Sequence, residues 1–105
     1  MGIEDKFLEL LAEWNTDIGN LAQHTSSANA YINCKAYREI VKLGEGVLPF
    51  ILKHNKEINA LCIPILINEV ARPNFKIPQE LDGRVKEQVT YCIKWLDNYL
   101  YDDVA

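Results

Sequence analysis

Five side chains in this sequence have the chemistry to bind a soft metal or attack an electrophile: His24, Cys34, His54, Cys62 and Cys92. Zinc sites draw their ligands in close pairs, because two side chains one turn apart reach the same ion. No C-x-x-C or H-x-x-x-H pair occurs here, so the spacing predicts no metal site. Catalysis by a cysteine needs a histidine base, and a Cys and a His somewhere in one chain meet that condition without signalling it. Their flanks match no nucleophile elbow or catalytic loop. Cys62 and Cys92 fall on apolar helical faces, where a thiol packs as a small hydrophobe. Carboxylate pairs such as Glu9 with Glu13 lie on a solvated face, and a general acid needs a shielded one. The expectation is a chain with no catalytic residues, no metal and no cofactor.

Two further constellations point to contact rather than reaction. Lys35, Arg38, Lys42, Lys53 and Lys56 form a basic strip, and the first three share helical spacing. Such runs are usually solvated faces, and no pattern of a known nucleic-acid reader accompanies this one. Tyr91, Trp95 and Tyr99 recur every four residues near the end of the chain. They lie beside the predicted inward face of their helix, not on it. Tyr and Trp bury area while keeping a polar handle, which suits a contact surface. The competing reading packs the row under the first helix, against Trp14.

The elements that must position these residues are predicted helices. Ile3, Phe7, Leu11, Trp14, Ile18 and Leu21 recur at three and four, as one face of an amphipathic helix. Its other face carries Glu4, Asp5, Glu9, Glu13 and Asp17 against a lone Lys6. Gly19 weakens its last turns, so its end is expected between there and Gln23. Thr25-Ser26-Ser27 is a break with capping residues. Residues 28–43 read as helical, in one piece or two, with Tyr37, Ile40 and Val41 inward. Gly44 suits a left-handed helix stop. Val47, Leu48, Ile51 and Leu52 give the next apolar face, with Pro49 acceptable only in a first turn. A connection so short predicts an antiparallel helical hairpin over 37–53.

Ile58, Leu61, Cys62, Ile65, Leu66 and Val70 mark a further helix, which Pro64 opens or kinks. Arg72-Pro73 should stop it. Residues 74–81 read as a loop and Asp82-Gly83 as a cap. Val85, Val89, Cys92, Ile93, Leu96 and Leu100 then form the inward face of the last helix. No stretch alternates at period two over enough β-branched residues to make a sheet.

Length and composition bound the rest. A chain of 105 residues suits one domain. Hydrophobic content of 49% with 25% charged residues is that of a folded globular protein and excludes disorder. A net charge of −4 repels phosphate backbones, so nucleic acid is not the expected partner. The acidic start lacks a secretory core, and three widely spaced cysteines predict reduced thiols in the cytoplasm. The longest apolar run, 61–67, is too short to span a bilayer.

Ser26-Ser27, Ala36-Tyr37, Leu43-Gly44 and Leu48-Pro49-Phe50-Ile51-Leu52 together resemble a family of small uncharacterised bacterial proteins, largely cyanobacterial. That family's pattern runs SS, HPAYQxII, MG and PLILREL. Cys34-Lys35 stands here for its His-Pro, and Leu43 for its Met. The resemblance implies an all-α fold and brings no reaction or ligand. The hairpin is also similar to a HEAT-type repeat unit, which implies protein binding by analogy.

The reading is a compact all-α bundle of about four to five helices, a single domain over 1–105, centred on a HEAT-like hairpin. Its expected role is a small non-catalytic protein-binding module or accessory subunit. Tyr91, Trp95 and Tyr99 would make the contact, with Arg38 and Lys42 as rim charges. The alternatives are an antitoxin or immunity-type protein that occludes a toxic enzyme, and a small-molecule sensor. The partner is a protein, not a membrane, and homo-oligomers are allowed.

Overall fold

The computed structural model describes residues 2–71 and 75–101, so the helix stop expected at Arg72-Pro73 lies outside the described residues. Six α-helices account for most of them: α1 (Ile3–Leu21), α2 (Ala28–Tyr31), α3 (Lys35–Lys42), α4 (Leu48–Lys53), α5 (Ile63–Ala71) and α6 (Val85–Tyr101). Short 3₁₀ turns cover Gly44–Val47, Asn55–Glu57 and Gln79–Leu81, and no strand occurs among the described residues. The protein is all-α. Six helices replace the expected four to five because 28–43 breaks in two at residues 32–34. The chain divides into two compact units, Met1–Val47 and Leu48–Ala105. The two limbs of the expected hairpin fall in different units, α3 in the first and α4 in the second.

In the first unit α1 packs chiefly on α3, and it also meets α2 and the Gly44–Val47 turn. Phe7, Leu10, Leu11, Trp14 and Ile18 are its buried residues. Ile3 is 43% exposed and Leu21 half-buried, because the inward stripe runs past the core at both helix ends. The helix continues through Gly19 and closes with the Ala22 N–H donating to the Ile18 carbonyl at 2.8 Å. Ser27 occupies the N-cap position of α2 in extended conformation, yet its hydroxyl makes no cap bond. Trp14 ties the unit together. Its indole Nε1 donates to the Tyr31 carbonyl at 2.8 Å, and its ring lies 5.2 Å from that of Tyr37 on α3. Gly44 takes φ +79° after α3, where a side chain would clash with the backbone.

In the second unit α6 packs on both α4 and α5. Pro49 and Pro64 each stand second in their helix, where the missing N–H has no intrahelical partner to lose. In α5 the buried face is Ile63, Leu66, Ile67 and Val70, with Cys62 just before it. Leu61, expected on that face, is 36% exposed because it precedes the first turn. Asp82-Gly83 forms the turn ahead of α6, not its cap. Gly83 takes φ +79°, and the Arg84 carbonyl accepts the Gln88 N–H at 2.8 Å. The Gln88 side chain closes the turn by donating to the Leu81 carbonyl at 2.8 Å. Of the six residues expected inward on α6, only Cys92 and Leu96 are fully buried; Val85 is 37% exposed.

Candidate functional site

The aromatic row on α6 is placed by the helical repeat and held by a residue outside the helix. Phe75, in the extended stretch before the Gln79–Leu81 turn, is 1% exposed. Its ring lies edge-on to Trp95, with centroids 4.8 Å apart and planes at 67°, and tilts toward Tyr91 at 6.2 Å. Trp95 in turn stacks on Tyr99 at 4.7 Å with only 12° between planes. Edge-to-face and offset-stacked geometries are the favoured ones for ring quadrupoles. Tyr91 and Trp95 are half-buried and Tyr99 is 36% exposed. The row is therefore wedged from below by Phe75 and open at its Tyr99 end. Trp14, the partner weighed from the sequence, places its ring on Tyr37. Phe75 escaped the sequence reading, which took residues 74–81 as a plain loop. A large aromatic isolated in a polar, proline-bearing stretch was the available signal.

Arg38 and Lys42 belong to α3 in the first unit and so are not part of the row's own unit. Both are exposed. The Arg38 guanidinium donates to Asn33 Oδ1 at 3.2 Å, and the Lys42 ammonium reaches Glu39 Oε2 at 3.1 Å. The hydrogen bond from Lys42 holds the Glu39 carboxyl below its ordinary value. Lys35 is exposed on the same helix, while Lys53 and Lys56 belong to the second unit.

Among the described residues no three His, Cys, Asp or Glu side chains gather where an ion could be held. All three cysteines are buried and none is in a disulfide. Burial, with Asp17 nearby, pushes the Cys34 thiol up, and burial pushes that of Cys92 up to about 12. Both stay protonated at neutral pH, and the thiolate is the nucleophilic form. His54 Nδ1 lies 2.9 Å from Glu57 Oε2, an i, i+3 contact beside a 3₁₀ turn. His24 is exposed past the end of α1.

Three open grooves mark the second unit, the smallest of them, about 320 Å³, beside Lys86, Glu87, Thr90 and Tyr91. One, of about 510 Å³, runs between α5 and the 76–82 segment and includes Pro64, Ile65, Lys76, Ile77 and Asp82. Another, of about 520 Å³, is lined by Leu52 of α4 and by Val89, Thr90, Ile93, Lys94 and Asp97 of α6. Among the described residues no helix is long and apolar enough to cross a membrane. Comparison with protein-family models, with curated proteins and with solved structures finds no match to this chain.

Proposed function

We propose that the protein is a small non-catalytic binding module of the cytoplasm that acts through protein–protein contact. The observation that carries this reading is the Tyr91–Trp95–Tyr99 row, ordered by Phe75 and half open to solvent. Rings already fixed in place lose little freedom on binding, so the area they bury converts to affinity at low entropic cost. Tyr99 is the residue to alter, because it is the most exposed of the three and is not part of the core. Tagged protein captured from the native host should hold a partner set that Tyr91→Ala and Tyr99→Ala deplete. With that partner purified, Tyr99→Ala should weaken binding roughly tenfold or more, as loss of an interface aromatic does. A partner set indifferent to both variants removes the row from the account. Arg38 and Lys42, on α3, are tested separately by reversal to Glu. Unchanged binding excludes them as contact charges.

A second reading, an antitoxin or immunity-type protein, is favoured by α1. Five carboxylates and one lysine between Glu4 and Asp17 give −4, equal to the formal charge of the whole chain. Asp5, Glu9 and Glu13 are all exposed, one turn apart. A basic enzyme is the target such a stripe attracts. Here the captured partner would be a basic toxic enzyme, and coexpression would suppress its toxicity. Asp5→Lys with Glu9→Lys would abolish that protection, whereas Tyr99→Ala would not.

A further inference from the structure

The last helix is apolar over too wide an arc for one core. At 100° per residue, the arc from Tyr91 through Trp95, Cys92, Leu96 and Val89 to Ile93 spans roughly 200°, about twice the stripe a surface helix buries. Cys92 and Leu96 sit at its centre and are fully buried. The aromatic row is one flank, and the open groove of Leu52, Val89, Thr90 and Ile93 is the other. That second flank is edged by a stripe at coiled-coil spacing: Lys86, Thr90, Ile93 and Asp97, at intervals of four, three and four. Lys86 and Asp97 are exposed, and among the described residues neither makes an ion pair.

The stripe carries a positive charge at its N-terminal end and a negative charge at its C-terminal end. It is thus complementary to itself when reversed. Across a two-fold axis between positions 91 and 92, Lys86 of each copy faces Asp97 of the other, and Thr90 faces Ile93. A parallel arrangement would set Lys86 on Lys86 and Asp97 on Asp97. A uniformly acidic or basic partner would be repelled at one end. We infer that α6 pairs antiparallel with α6 of a second copy of this chain along Lys86, Thr90, Ile93 and Asp97, forming a two-fold dimer. Such a contact is isologous. It also opposes the two helix dipoles, and it closes the apolar groove while leaving the aromatic row for a different partner.

The test is sedimentation velocity of the full chain over a concentration series, with circular dichroism confirming that each variant folds. The wild type should shift reversibly from monomer to dimer. Lys86→Glu and Asp97→Lys each turn two attractive pairs into repulsive ones and should each raise the dissociation constant roughly tenfold. The double variant K86E/D97K restores complementarity and should recover the wild-type constant, an effect no general change of net charge gives. A chain monomeric at every concentration overturns the inference. So does a dimer that ignores both single reversals, one that the double variant does not restore, or one that Tyr99→Ala dissociates instead.

Discussion

The indole of Trp14 does two things at once. Its ring fills space against Tyr37, and its N–H satisfies the buried Tyr31 carbonyl. Trp14→Phe keeps much of the first and deletes the second. An unsatisfied buried acceptor should cost about 1–3 kcal/mol, read as a lower urea midpoint at unchanged slope. A loss under half that would mean water replaces the indole. Cys92 offers a second test at this scale. Its thiol is pushed up to about 12 from an ordinary 9.0 by burial alone. Below pH 9 both folded and unfolded chains keep the proton, so the thiol adds no pH dependence there. Between pH 9 and 12 the unfolded chain loses it and the folded chain does not, so stability falls as pH rises. The linked slope is up to about 1.4 kcal/mol per pH unit. Urea midpoints from pH 8 to 10.5 should therefore fall more steeply for the wild type than for Cys92→Ala. Parallel slopes would assign the alkaline loss to other groups.

Among the elements, the turn after α3 holds two glycines with opposite roles. Gly44 lies at φ +79°, and Gly44→Ala should cost about 1–2 kcal/mol because a Cβ is strained there whatever the space. Gly46 has no such conformation. A Cβ there would come within 2.9 Å of Ile3 Cδ1, the tip of an exposed, flexible side chain able to swing aside. Gly46→Ala should leave stability within about 0.5 kcal/mol, since the stiffer unfolded chain offsets the displacement. Thermal melts of the two variants compare them directly, and equal losses would contradict the assignment. The same scale explains why α6 is partly covered on two flanks. Its expected inward face centred on the aliphatic residues, but Phe75 also brings Tyr91 and Trp95 partly under cover, so that they are half-buried like Val89 and Ile93 on the other flank. Periodicity alone cannot choose between two adjacent apolar flanks.

At the scale of the whole molecule, each unit contains one of the two tryptophans, Trp14 in the first and Trp95 in the second. Units of this size are marginal alone. The proposal of a single domain thus predicts one cooperative transition. Trp95→Phe leaves the first unit's reporter and Trp14→Phe the second's. Within each variant, the fluorescence midpoint in urea should coincide with that of far-ultraviolet circular dichroism. Separated midpoints would make the chain two folding units. Net charge, by contrast, is unevenly distributed, with α1 alone carrying the equivalent of the full −4.

Local rules settled what depends on neighbours in sequence. The helical class, the stop at Gly44 and the first-turn placement of Pro49 follow from spacing and backbone chemistry within a few residues, whereas the break between α2 and α3 and the choice of Pro64 between opening and kinking its helix did not. Each of the first three is decided by which dihedrals and hydrogen bonds a short segment can form. The Phe75 wedge, the partial cover of both flanks of α6, the membership of Arg38 and Lys42 in the unit that does not hold the row and the Trp14–Tyr31 hydrogen bond belong to the tertiary structure. They hinge on which distant segment lands against which face. Burial energy depends on area and not on order along the chain, so several such arrangements satisfy one sequence pattern until packing selects among them.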